Sequence, residues 1–194
     1  MTAPRPRARL LTSTIAAVQE YGVHAAGLTE LLKRSNASRN SLYQHFPEGK
    51  GQLVETAARI VARVVHSHIA AVADKLEGTP SVSQWLDELF AFWLDPLESS
   101  EYRLGSFMMA AALDEADPAL QAAAGQAFEE WTTRLAAGLA AAGIEPGAAR
   151  STAGVLLSVV EGAIVQSRAL ESSRPFADAH DQLRILLEHH LARR

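Results

Sequence analysis

The sequence predicts an all-α protein, and three observations carry that prediction. Apolar residues recur at steps of three and four along most of the chain. No stretch alternates with period two between turn residues. Proline and glycine interrupt the pattern at intervals that suit helices.

Each element follows from its own spacing. Arg7–Tyr21 places Leu11, Ile15 and Val18 on one face, with Pro6 at its start and Gly22 at its end. Leu28–Arg34 turns Leu28, Leu31 and Leu32 inward. Asn36-Ala37 breaks the chain, and Ser38–Phe46 forms the next short helix, stopped by Pro47. From Lys50 a long helix repeats Leu53, Ala57, Ile60, Val64 and Val72 until Gly78-Thr79-Pro80. The pattern then predicts helices over Ser81–Leu94, stopping near Pro96, and over Arg103–Leu113 and Pro118–Ala142. Two more follow, Gly147–Ala169 and Pro175–Arg193. The expected domains are residues 1–49, an N-terminal arm with three helices, and residues 50–194.

Composition narrows the function classes. The chain has 194 residues, 48% of them hydrophobic and 21% charged, which is ordinary for a globular protein. Cysteine is absent, so thiol nucleophiles, disulfides and cysteine-based zinc sites are excluded. No cofactor is expected. Leu10–Val18 is broken by Thr12, Ser13 and Thr14 and reads as no signal peptide. Ala153–Val165 is shorter than the roughly 20 apolar residues of a membrane span, so no membrane partner and a cytoplasmic location are expected. The net charge of −4 is unevenly spread: residues 1–50 carry seven Lys/Arg against three acids, +4, which leaves −8 for the rest. A basic end on an acidic body suits a polyanion at that end alone.

The stretch LTELLKRSNASRNSLYQHFPEGK, Leu28 to Lys50, carries the functional reading. Asn36 tolerates the left-handed conformation of a tight turn, and Ser38 is a good N-cap. Leu31, Leu32, Ala37, Leu42 and Phe46 supply the apolar contacts. Ser38, Arg39, Asn40, Ser41, Tyr43, Gln44 and His45 are left as hydrogen-bonding groups on a helix too short to stand alone. That surface suits a major groove. The alternative is a helical small-molecule-binding or scaffold protein whose N-terminal module contacts protein; a protein-contact helix would be expected to show apolar residues among the side chains left free in Arg39–His45, and these are polar. Enzyme readings lack a motif: there is no Gly-x-Ser-x-Gly elbow, phosphate loop or dinucleotide fingerprint, and no histidine pair shares a helix face.

Leu11–Lys50 resembles the N-terminal domain of the TetR family of repressors. The run Ser38-Arg39-Asn40-Ser41-Leu42-Tyr43-Gln44-His45-Phe46 matches that family's recognition helix. Pro47-Glu48-Gly49-Lys50 is similar to its LmrA/YxaF-like branch, as are the helix with Phe128, Trp131 and Leu135, the Ala142-Gly143 pair, and Glu161-Gly162-Ala163 followed by Arg168-Ala169. Asn36 and Asn40 stand where glycines are usual, and Gly27 where a capping Thr is common. The resemblance implies a homodimer on double-stranded, palindromic operator DNA, acting as a ligand-responsive repressor. It implies backbone contacts from Tyr43, His45 and Lys50, and from Thr29 near the Gly27 cap. It implies a C-terminal ligand-binding and dimerisation domain whose last two helices pair across a two-fold axis. There a small, largely apolar inducer would lie among Trp93, Phe107, Met108, Phe128 and Trp131, with Glu161 as polar anchor. Phe176, Leu183, Leu187 and Leu191 on the last helix, with Val155–Val165, are the expected subunit contact.

Overall fold

The structure, a computed structural model, describes residues 5–192. Among the described residues the elements are α1 (Pro6–Ala25), α2 (Leu28–Ser35), α3 (Arg39–His45), α4 (Lys50–Ala73), a 3-10 turn (Leu76–Gly78), α5 (Val82–Ser99), α6 (Phe107–Ala112), α7 (Pro118–Ala141), α8 (Pro146–Leu170) and α9 (Arg174–Leu191). The chain forms two compact units. One runs through Arg63 and takes back Ser106–Gly125; the other holds Val64–Gly105 and the residues from Gln126 on. Packing thus groups α6 and the first turns of α4 and α7 with α1–α3, whereas the sequence division falls at residues 49 and 50.

In the first unit, α1 buries Leu10, Leu11, Thr14, Ala17 and Val18, the i, i+4, i+7 stripe of a helix with one wet face. Pro6 starts it, and Gly22 (φ 81°) kinks it before its last residues. α2 and α6 pack on α1. Phe107, Met108 and Ala111 form the buried face of α6. Full burial of side chains such as Leu10, Leu31, Leu42 and Leu53 contributes about 1.5–3 kcal/mol each.

In the second unit α9 packs on both α8 and α5. Trp85 is buried and donates its indole N–H to the Val72 carbonyl at 2.8 Å, tying α5 to α4. α7 approaches α4 so closely at Gly138 that an added Cβ would lie 2.7 Å from the Ala73 Cβ and 2.8 Å from its carbonyl oxygen. Backbone cannot yield there as a flexible side chain would. Gly138→Ala is therefore expected to destabilise this unit by about 1–3 kcal/mol despite its gain in helix propensity. Urea unfolding followed by tryptophan fluorescence measures it, since Trp85, Trp93 and Trp131 all lie in the second unit. A midpoint at or above that of the parent would refute the close-packing argument.

Four sequence expectations need correction. α5 does not stop near Pro96; it runs to Ser99 with Pro96 inside. A proline this near the C-terminus forfeits one hydrogen bond close to a helix end, and a further turn remains possible. The helix expected over Arg103–Leu113 is reduced to Phe107–Ala112, because Glu101 (φ 54°) and Tyr102 (φ 59°) are left-handed and Ser106 caps the true start, its Oγ accepting from the Met109 N–H at 3.1 Å. α4 ends at Ala73 rather than continuing to Gly78. The apolar stretch around Ala153–Val165 belongs to a 25-residue helix, Pro146–Leu170, long and apolar enough by length and composition to cross a membrane. Its inner face, including Ala153, Leu156, Val160 and Ile164, is core of the second unit. The end expected at Arg193 lies outside the described residues.

The last helix departs from expectation in a different way. Phe176, Leu183 and Leu187 are buried within the chain, 2%, 4% and 0% exposed, so they cannot serve as a subunit contact. One helix's spacing shows that it has an apolar face. It does not show which neighbour covers that face, and here α5 and α8 are the elements packed on it. On the last two helices the large apolar residues left outside are Val155, Val165 and Leu170 on α8 and Ile185 on α9.

Candidate nucleic-acid interface

Two short helices and the turn between them build the site. Asn36 ends α2 in the left-handed region (φ 47°, ψ 48°). The Ala37 N–H reaches back to the Leu32 carbonyl at 3.0 Å and the Asn36 N–H to that of Lys33 at 3.2 Å, satisfying the last carbonyls of the helix. Ser38 is extended (φ −80°, ψ 158°), and its Oγ accepts from the Ser41 N–H at 3.1 Å. The turn is also held from behind. Arg9 on α1 donates Nε to the Ser35 carbonyl at 2.9 Å and Nη2 to that of Asn36 at 3.2 Å. Arg9 thus braces the turn from α1. Arg34 grips Glu20 with both nitrogens, at 3.1 and 2.6 Å, and fixes α2 against α1.

Leu42 and Phe46 are 0% and 1% exposed, and they set which way α3 faces. Arg39, Asn40, Tyr43, Gln44 and His45 are exposed along its outer side, and Ser41 is half-buried. The Tyr43 ring lies against the turn that follows. Gly49 adopts φ +77° there, and an added Cβ would meet the ring at 3.4 Å. The turn needs a left-handed residue, which glycine supplies without steric cost. Ser38 is exposed, as is Thr29 in the first turn of α2, whose cap, Gly27, has no side chain to offer.

Lys50 is placed differently from the other eight residues. Its ammonium points into the unit and donates to the Val23 carbonyl at 2.9 Å. Burial pushes its pKa below the ordinary lysine range, and Asp114 opposes that shift. Asp114, before α7, is 4% exposed; its Oδ1 lies 3.1 Å from His24 Nε2 and accepts from the Ala116 N–H at 3.1 Å. Here Lys50 joins the end of α1 to the start of α4. No local signal in the sequence links Lys50 to Asp114, 64 positions away.

The six expected ligand-lining residues fall in both units. Phe107 and Met108 are buried on α6 in the first unit. Phe128 and Trp131 meet edge to face at 5.3 Å on α7, and Trp93 stands edge to face with Phe92 (5.1 Å) and His68 (5.7 Å). Glu161 is half-buried on α8.

A capped, left-handed turn between two helices, the second fixed by two buried residues and polar along its outer side, defines a helix-turn-helix DNA-binding regulator. Residues 10–57 match the family model of bacterial regulatory proteins of the tetR family, and residues 83–182 match the LmrA/YxaF-like transcriptional regulator C-terminal domain. An uncharacterized HTH-type transcriptional regulator of Mycobacterium tuberculosis is 31% identical over 190 residues, covering 94% of each chain. The HTH-type transcriptional regulator LmrA of Bacillus subtilis is 27% identical over 173 residues, 87% of this chain and 89% of that one. A TetR transcriptional regulator from Legionella pneumophila shares the fold at a TM-score of 0.82 and 19% identity, covering 97% of this chain and 98% of that one. The chain belongs to the TetR family of transcriptional regulators, with a C-terminal domain of the LmrA/YxaF-like type.

Proposed function

We propose that this regulator is a cytoplasmic, ligand-responsive repressor that binds a palindromic operator as a homodimer and is released by a small, largely apolar inducer. The observation that carries the reading is the outer side of α3, polar from Arg39 to His45 on a helix held by Leu42 and Phe46. Arg39, Asn40 and Gln44 read base edges. Thr29, Ser38, Ser41, Tyr43 and His45 contact the backbone, and Lys50 shapes the frame from within. Functionally, residues 1–49 bind DNA and residues 50–194 bind ligand and partner. Family membership replaces the scaffold alternative. The inducer site is assigned to Trp93, Phe128, Trp131 and Glu161 in the second unit, with Phe107 and Met108 on α6 following its occupancy. α4 is common to both units and is the element through which a bound ligand biases the spacing of two recognition helices.

Selection of bound sites from random double-stranded DNA tests the core of this. The expected product is an inverted repeat whose affinity falls linearly with log salt. Tyr43→Ala should weaken all sequences alike, about 10-fold, whereas Asn40→Ala or Gln44→Ala should change the preferred base at one position of each half-site. A selected pool without any enriched sequence would refute operator recognition.

A further inference from the structure

We propose that the groove between α5 and α9 is a binding site for a small organic cation with an apolar body, an amphiphilic ammonium. The groove encloses about 470 Å³ and is lined by Phe90, Leu94 and Phe176 together with Asp87, Asp95 and Asp181. That volume falls within the range of small-molecule sites, about 300–1,000 Å³. Its lining shares no residue with the inducer site assigned above, and the proposal does not rest on that reading.

Charge and surface together decide the class. Phe90 and Phe176 meet edge to face at 5.6 Å and form an apolar floor. No Lys or Arg lines the groove. His180 is its one basic side chain; Nε2 lies 3.1 Å from the Ser83 carbonyl and 3.2 Å from Asp87 Oδ1, and Nδ1 lies 3.9 Å from Asp181 Oδ1. These contacts pair the start of α5 with the middle of α9, so the helices run antiparallel. Asp87 and Asp181 therefore share one end of the groove and Asp95 stands at the other. Asp87 and Asp95 are eight residues apart, about 12 Å along a helix. His180 engages Asp87, while Asp95 has no ion-pair partner among the described residues.

An anion would meet three carboxylates here. A neutral apolar guest would take water from them without replacing its hydrogen bonds. A small metal ion would gain nothing from the two phenyl rings. An ammonium on an apolar stem satisfies both surfaces, with ring faces and carboxylates acting on the same charge.

Isothermal titration of the full chain with three probes sharing one body separates these cases: 4-phenylbutylammonium, 4-phenylbutan-1-ol and 4-phenylbutyrate. The expected order is cation bound, alcohol at least 10-fold weaker, and carboxylate not detected. Asp95→Asn with Asp181→Asn should weaken the cation at least 10-fold and leave the alcohol unchanged. Both residues are exposed, so the variant folds, and an unchanged tryptophan-monitored melt verifies it. Ala91→Trp, which fills the groove, should remove cation and alcohol together. Equal affinity for all three probes, no cation binding at millimolar concentration, or a doubly substituted protein that binds like the parent would each overturn the assignment. Operator affinity measured with the cation present is a separate readout: cation binding without operator release upholds the groove and shows only that the inducer acts elsewhere.

Discussion

Val155→Asp with Val165→Asp is expected to convert the dimer to a folded monomer and to cost operator affinity about 100- to 10,000-fold. These valines are 45% and 48% exposed in the isolated chain, in an outer stripe Ser151, Val155, Ser158, Gly162, Val165 and Ala169. The steps of four and three keep the stripe straight along α8, and an added Cβ at Gly162 would meet nothing within 4 Å. Small residues there allow a second helix to come close. On α9, Ile185 is 52% exposed. Two carboxylates in each subunit would place four like charges in a dewetted contact. The chain's own core lies on the opposite face of α8, so the fold survives. Operator affinity falls because one half-site is then read alone, and the multivalent gain of about 10² to 10⁴ disappears. Light scattering gives the mass and gel-shift titration the affinity. A substituted protein that stays dimeric would move the interface elsewhere. The comparison substitution, Leu187→Asp, should instead unfold the second unit, because Leu187 is 0% exposed within one chain.

That contrast shows what the sequence could and could not disclose. The α2–turn–α3 segment was legible because its signals are local: Asn36 for the left-handed turn, Ser38 for the cap, Pro47 for the stop, and two apolar positions four residues apart to set the facing of α3. Helix existence was legible elsewhere for the same reason, from spacing alone. The break after α5 was not, because left-handed Glu101 and Tyr102 are poor formers of that conformation and carry no glycine to announce it. The role of Lys50 was hidden more deeply. From sequence it is a cation at a helix start, unfavourable against the helix dipole and in want of an anion. The structure answers with the Val23 carbonyl, which accepts from the ammonium at 2.9 Å, while the charge of Asp114 opposes the cost of burying it.

The cluster at Lys50 supports the second large effect. Asp114→Ala is expected to lower the stability of the first unit by about 2–3 kcal/mol. Asp114 is 4% exposed, accepts from the Ala116 N–H and lies 3.1 Å from His24 Nε2, and leaving a buried donor without its acceptor costs about 1–3 kcal/mol; Lys50 also loses the negative charge that opposes its desolvation. Adding Lys50→Met should recover part of the loss, since the methionine fills the space of the stem without a charge. All three tryptophans lie in the second unit, so hydrogen exchange along α1–α3 is the appropriate readout. The pH dependence has a definite sign. The folded-state pKa of Lys50 lies below its ordinary 10.5, so the unfolded chain retains that proton to higher pH. Stability of the parent should therefore rise with pH between the folded-state value and 10.5, as the cost of holding a buried cation is relieved. Lys50→Met should remove that rise. The same variants at neutral pH and a temperature where both units are folded should bind all operator sequences more weakly by a similar factor, because the cluster sets the frame of α3 and touches no base. If Asp114→Ala left exchange in α1–α3 unchanged, the buried carboxylate would be a bystander and Lys50 would be free to serve as a phosphate contact after all.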